Sequence, residues 1–129
     1  MAIVKQLTVM LENRPGAMAM LCSELAKVAV NITAIQASDA RPIGPVRMIV
    51  SHPDVAKRVC DALNLKYLEE EVLAVKVGDR PGALGRVTRK LAEKGINIEY
   101  VYGSISRDAT QALLVLQVSD LSAAARLVR

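Results

Sequence analysis

The sequence predicts an α+β fold built from two copies of one β-α-β-β-α-β unit, and three observations carry that prediction. The first is self-similarity. Sliding the chain by 66 positions lays Asn13–Ser38 on Asp79–Ser104, and nine of the 26 pairs are identical: Arg14/Arg80, Pro15/Pro81, Gly16/Gly82, Ala17/Ala83, Leu25/Leu91, Ala26/Ala92, Asn31/Asn97, Ile32/Ile98 and Ser38/Ser104. The same offset pairs Leu7 with Leu73, Val9 with Val75, Arg41 with Arg107 and Asp54 with Asp120, without a gap. A fixed internal period marks a repeated supersecondary unit. The second observation is that apolar spacing switches between strand and helix periods along each copy. The third is composition: 52% of the residues are hydrophobic and 23% charged, so the chain has the apolar content of a packed globule.

The elements follow in order. Residues 3–11 place Leu7, Val9 and Leu11 on one face of a strand. Asn13-Arg14-Pro15-Gly16 is a turn, with proline placed for a helix start. Met18, Leu21, Cys22, Leu25 and Val28 then form one apolar helical stripe. Asn31–Ser38 is the second strand, Arg41-Pro42-Ile43-Gly44-Pro45 a loop and Val46–Val50 the third strand. Ser51-His52-Pro53-Asp54 opens a second helix that buries Val55, Val59 and Leu63, and Tyr67–Val77 is one extended run. The second copy repeats this with Val72–Val77, Leu84–Lys94, Asn97–Gly103, Gln111–Val118 and Leu121–Val128.

This order is the ferredoxin-like pattern, an antiparallel sheet with both helices on one face. It gives units at 1–70 and 71–129. Arg129 aligns with Leu63 at the same offset, so the second unit ends with its last helix and its final strand is absent. A partner covering that edge is one expectation and a clipped chain the other.

Composition also bounds function. No apolar run reaches the ~18 residues that span a bilayer, and residues 1–20 lack a signal-peptide core, so a soluble cytoplasmic protein without a membrane partner is expected. Cys22 and Cys60 form neither a disulfide framework nor metal-ligand spacing. His52 is the only histidine and precedes Pro53 in a turn, where a cap or solvated position is the simplest role. Glu69, Glu70 and Glu71 read as a solvated hinge, and the glycines Gly78, Gly82 and Gly85 match no nucleotide-binding fingerprint. No catalytic set, metal or cofactor is expected, and the chain reads as a non-enzyme. Seventeen basic against 13 acidic residues give +4; the densest cluster, Arg80, Arg86, Arg89, Lys90 and Lys94, reads as the solvated side of a helix, with a phosphate patch as the sharper alternative.

The feature that resembles a site is the repeated turn, Asn13-Arg14-Pro15-Gly16-Ala17 and Asp79-Arg80-Pro81-Gly82-Ala83. A tight strand-to-helix turn leaves the first helical amides unpaired and favours an anion there. Asn13 adds an amide that donates to a carboxylate or accepts from an ammonium, whereas an ionised Asp79 only accepts. The plainer role for both is to cap the turn.

Glu12-Asn13-Arg14-Pro15-Gly16 with Val30-Asn31-Ile32, and Asp79-Arg80-Pro81-Gly82-Ala83-Leu84 through Lys94-Gly95-Ile96-Asn97-Ile98, resemble the regulatory ACT domain. Over its whole length the chain is similar to stand-alone tandem ACT proteins of bacteria and archaea. The resemblance implies paired units, with an amino acid bound at the interface between them. It also implies ligand contacts from the asparagine before Arg-Pro-Gly and from the one opening the second strand, here Asn13 and Asn31. The second copy keeps Asn97 but has Asp79, and Leu11 stands where some serine-binding members have a histidine. The implied partners are a free amino acid, a homodimer or higher homo-oligomer, and a metabolic enzyme. The alternative is an ACT-type module for oligomerisation or protein interaction without a ligand. RNA binding needs aromatics on the sheet; Tyr100 and Tyr102 share a strand face, but the first copy has Ala34 and Gln36 there, so no nucleic acid is expected.

Overall fold

The computed structural model describes residues 2–105 and 110–127. Its elements run β1 (Ala2–Glu12), α1 (Ala17–Lys27), β2 (Ile32–Ala37), β3 (Ile43–Val50), α2 (Pro53–Ala62), β4 (Tyr67–Gly78), α3 (Ala83–Glu93), β5 (Ile98–Ile105), β6 (Gln111–Val118) and α4 (Leu121–Leu127). The fold is α+β with two βαββαβ units, as the alternating periods predict. One compact unit holds Lys5–Glu70, and the other holds the described residues of 71–129 together with those of 1–4.

In the first unit the strand order is β2-β3-β1-β4. β1 pairs antiparallel with β3, Leu7 opposite Met48 and Leu11 opposite Gly44. The period-two face of β1 delivers Leu7, Val9 and Leu11 to the helices, where they meet Leu21 and Leu25 of α1 and Ala56 and Cys60 of α2. Small residues thus form the buried face of α2, and Val55, Val59 and Leu63 are only partly buried beside it. Val28 closes α1 as its C-cap and stays exposed, because the helix stops one residue before it. β3 begins at Ile43, inside the stretch that reads as loop, since Ile43, Gly44 and Pro45 pair with Glu12, Leu11 and Met10. Pairing with a neighbouring strand overrides a composition that favours turns.

In the second unit the order is β5-β6-β4-β1. Leu73 and Val75 pack with Val87 and Leu91 of α3, Leu114 and Leu116 of β6 and Ala124 of α4. The edge that the sequence leaves open is occupied: residues 2–4, at the start of β1, cluster with this unit, and β1 is hydrogen-bonded to β4. A strand contributed from the other end of the chain leaves no trace in the repeat period.

The repeat itself needs one correction. The offset of 66 holds through β2 and β5, but Leu7 faces Met48 while Leu73 faces Leu116, and 116 − 48 is 68. The loop before β6 is therefore two residues longer than the one before β3. Asp120 consequently matches His52 rather than Asp54; both carbonyls accept the first helical bond, from Ala56 N and Ala124 N, each at 3.0 Å. The Arg41/Arg107 pairing and Val128 fall on positions outside the described residues.

Candidate functional site

Both copies build the same backbone turn from Arg-Pro-Gly. In the first, Arg14 N bonds Glu12 O at 3.1 Å, Ala17 N bonds Arg14 O at 3.3 Å and Met20 N bonds Gly16 O at 2.9 Å. In the second, Arg80 N bonds Gly78 O at 2.9 Å, Ala83 N bonds Arg80 O at 3.3 Å and Arg86 N bonds Gly82 O at 3.0 Å. Gly16 and Gly82 have φ of 90° and 88°, in the left-handed region that glycine occupies without strain. Neither α1 nor α3 has a side-chain cap. Among the described residues, no partner takes the amides of Met18 and Ala19 or of Leu84 and Gly85.

Asn13 accordingly does a different job from capping. Its N–H donates to Pro42 O at 2.8 Å and its Nδ2 to Ala40 O at 3.2 Å, which ties the β2–β3 loop over the turn. That engagement leaves Oδ1 as the group on offer, an acceptor suited to an ammonium. The loop borders an open pocket of about 120 Å³ lined by Leu11, Asn13, Met18, Ser38, Ala40 and Val46, among others. At ~30 Å³ per water it holds roughly four waters' volume, room for a small molecule. Leu11 and Val46 are buried and make one wall apolar; Ser38, Asn13 and the Glu12–Arg14 ion pair make the other polar. Gly44 is required at the rim, because a Cβ there would meet Ala40 Cβ and Ala40 O at 3.1 Å. The Arg14 guanidinium is held by Glu12, Nε to Oε2 at 2.9 Å.

The second turn differs in its side chains. Gly78 stands where Glu12 stands, and the Arg80 guanidinium folds back onto it, Nη1 lying 3.1 Å from where a Cβ would be. Asp79 N bonds Thr110 O at 3.0 Å, and its side chain is exposed. Thr110 thus takes the place of Pro42, and the counterpart of Ala40 lies in the loop outside the described residues.

Asn31 is not brought to the Asn13 cavity within the unit. It sits at the other end of β3, its N–H bonded to Ser51 Oγ and its carbonyl to Ser51 N, each at 2.9 Å. The eight residues of β3 span roughly 26 Å between the two ends. Asn97 repeats the arrangement with Ser119 at 2.9 Å and adds Nδ2 to Glu99 Oε2 at 3.1 Å. Asn13 and Asn31 of one unit therefore do not line a single pocket, because the strand between them fixes them apart.

His52 is exposed and its Nδ1 lies 2.9 Å from Ser51 Oγ. Cys60 is buried, and burial pushes its thiol upward in pKa, with Asp61 adding to this, so it is held as an inert thiol. Glu69 is no solvated hinge: it is partly buried between Lys57, 3.3 Å away, and Lys5, 3.7 Å away. Hydrogen bonds to Asp54 and then Glu69 raise the Lys57 pKa. Tyr102 is buried and so is not presented as a stacking surface. Among the described residues no group of three His, Cys, Asp or Glu side chains could hold a metal ion. Among the described residues no helix is long and apolar enough to cross a membrane. The sequence reading overlooked Ala40 and Gly44 of the cavity; Ser38 was visible as one of the repeated identities.

A family model described as an ACT domain pair matches residues 1–128. The chain belongs to the ACT domain pair family. Among solved structures it is similar to a protein from Bacteroides thetaiotaomicron at 28% identity and TM-score 0.90, covering 97% of this chain and 85% of that one. It is also similar to the regulatory subunit of aspartate kinase from Thermus thermophilus in its ligand-free form, at 18% identity and TM-score 0.68, covering 99% and 95%. The Thermus flavus regulatory subunit gives 17% identity and TM-score 0.65, covering 96% and 89%. These last two likenesses are of fold. No curated protein matches the chain.

Proposed function

We propose that this ACT domain pair is a small cytoplasmic regulatory protein, not an enzyme, that binds a free amino acid at the Asn13 turn and reports its occupancy to a partner. The observation that carries the reading is the cavity at that turn, lined by Asn13, Ser38 and Met18, beside the unpartnered amides that open α1. The amides and the helix dipole suit a carboxylate, and Asn13 Oδ1 suits an ammonium. A volume of about 120 Å³ with an apolar wall of Leu11 and Val46 favours a small, uncharged side chain. Because Asn31 of the same unit is remote, the polar group that closes over the ligand comes from elsewhere, and a second copy of the chain fits this need. A ligand held by two copies favours the assembled state, which is the coupling regulation requires. A metabolic enzyme is the partner class that such coupling serves.

A thermal-shift screen of the full chain against the twenty amino acids tests the binding, followed by calorimetry. Asn13→Ala should weaken binding at least about tenfold, the cost of one charge-assisted hydrogen bond. Asp79→Ala should weaken it less, or strengthen it by removing a negative charge near the second turn. Loss of binding in Asp79→Ala with Asn13→Ala intact would reverse the assignment. Exposed apolar residues favour a second reading, a ligand-free association module: Met10 is 38% exposed, Met20 37% and Ile43 49%. If no amino acid shifts the melt while light scattering shows a dimer or larger species, that second reading stands.

A further inference from the structure

We propose that the groove between β4 and α3 in the second unit is a binding site for a small molecule carrying a phosphate group, held by Lys76, Arg86 and Lys90. The groove has a volume of about 230 Å³ and is lined by these three cations together with Val75, Gly78 and Val87. At ~30 Å³ per water this is roughly eight water volumes, enough for a pyrophosphate or the phosphate end of a larger metabolite. The cations converge from two elements, Lys76 from the strand and Arg86 and Lys90 from the helix. None of the three side chains has an ion-pair or hydrogen-bond partner among the described residues. Ala83, the first residue of α3, also lines the groove, so the positive end of the helix dipole lies beside them.

The other copy supplies an internal comparison. At the 66-residue offset, Lys76, Arg86, Lys90 and Gly78 correspond to Met10, Met20, Glu24 and Glu12. The same backbone frame thus carries two acids and no base in one unit, and three bases and no acid in the other. Arg86 and Lys90 are four apart on the helix, a like-charge pair that destabilises it unless an anion lies between them. Replacing the glutamate by Gly78 removes the carboxylate that would repel such an anion. Arg89 and Lys94, in contrast, do not line the groove and serve as the solvated face of the helix. Asp79 is the acid nearest in sequence, and its side chain is exposed at the turn.

The test titrates the full chain at low salt with pyrophosphate, inorganic phosphate and ribose 5-phosphate, read by calorimetry and by phosphorus NMR. Saturable binding of at least one probe is expected, with one molecule per chain and an affinity that falls as salt is added. Preference among the three probes distinguishes a free phosphate from a phosphorylated metabolite. The triple variant Lys76→Met, Arg86→Met, Lys90→Glu installs the first unit's residues at exposed positions, and Arg86→Met alone serves if the triple variant melts early. Each should weaken binding at least about tenfold. Asn13→Ala should leave phosphate binding unchanged, which separates this site from the amino-acid cavity. Arg89→Ser, the first unit's residue at a position off the groove, should also leave it unchanged. Absence of saturable binding, equal binding by Arg86→Met, or an equal loss in Arg89→Ser would overturn the proposal. Tighter binding of a single-stranded oligonucleotide than of any of the three probes would overturn it in favour of a nucleic-acid surface.

Discussion

Replacing Ala29 by glycine should stabilise the protein, although it removes a methyl group. α1 ends at Lys27, and Ala29 follows with φ of 58°, a left-handed conformation. There its N–H bonds Ala26 O and Val30 N bonds Leu25 O, each at 3.0 Å, the double closure that satisfies the last helical carbonyls. The second unit makes the same closure with Gly95, φ 68°, whose N–H bonds Ala92 O while Ile96 N bonds Leu91 O, each at 3.0 Å. A residue with a Cβ costs about 1–2 kcal/mol in this conformation. Glycine gives back about 0.4–1 kcal/mol through the greater freedom of its unfolded chain. Ala29 is exposed, so no packing is lost. The net gain for Ala29→Gly is therefore about 0.5–1 kcal/mol, a rise of about 2–5 °C in Tm for a chain of this size. Gly95→Ala is the mirror experiment. A Cβ there would meet nothing within 4 Å, so its cost is conformational alone and of similar size. Equilibrium urea unfolding should show the two variants moving in opposite directions with unchanged m-values. Two shifts of the same sign, or a loss of 0.5 kcal/mol or more in Ala29→Gly, would refute the conformational account.

Two further outcomes follow from the first unit. Gly44→Ala should push the Ala40 backbone away by a few tenths of an ångström, since its Cβ would meet Ala40 at 3.1 Å. The 3.2 Å bond from Asn13 Nδ2 to Ala40 O then lengthens, so calorimetry should show weaker amino-acid binding while the melt falls by no more than about 1–3 kcal/mol of overpacking. The unit should also lose stability in alkali. Cys60 is raised by burial above its ordinary 9.0, Tyr67 by a hydrogen bond to Asp61 above 10.0 and Lys57 by Asp54 and Glu69 above 10.5. A raised folded pKa gives stability that is complete below the unfolded value and disappears as pH climbs through the folded one. Urea midpoints should therefore be level at neutral pH and fall once pH passes 9.0, Cys60 first and Lys57 last; a level or rising midpoint above 10.5 would contradict this.

What the sequence could reveal depended on how local the cause was. Arg-Pro-Gly fixes its turn through proline geometry and a left-handed glycine, so both turns were legible residue by residue. The periods of Leu7, Val9 and Leu11 and of Leu21 and Leu25 were equally local. The two-residue shift before β6 was not, because β3 and β6 share little identity and only the ladder, Met48 against Leu116, reveals it. Residues 3–11 read as one strand, but nothing nearby in sequence tells that its first residues cluster with the second unit. On α2, valines suggested a buried face that belongs instead to Ala56 and Cys60, because close approach of the helix favours small side chains. At the site, Asn13 was visible but its partner Ala40 was not, since a backbone carbonyl carries no sequence signature.

The two units place a controlled comparison inside one molecule. Their turn hydrogen bonds agree to within 0.2 Å and their glycine φ angles are 90° and 88°, so the backbone contribution to anion binding is the same in both. Any difference in what they bind must then come from side chains at matched positions. The first unit has Glu12 and Glu24, which repel a polyanion, and the uncharged Met10 and Met20, and offers Asn13 as a neutral acceptor over a small cavity. A zwitterion, needing one weak anion site and one acceptor, suits that surrounding. The second unit replaces every one of those groups: Lys90 stands for Glu24, Gly78 for Glu12, Lys76 and Arg86 for the methionines, and Asp79 for the asparagine. A negative charge at Asp79 repels a carboxylate, but beside Arg86 and Lys90, which the first unit lacks, that repulsion is offset. On the two proposals made above, the Asp79 substitution and the basic groove are parts of one change, in which a repeated frame keeps its backbone and would divide its ligand chemistry between the copies.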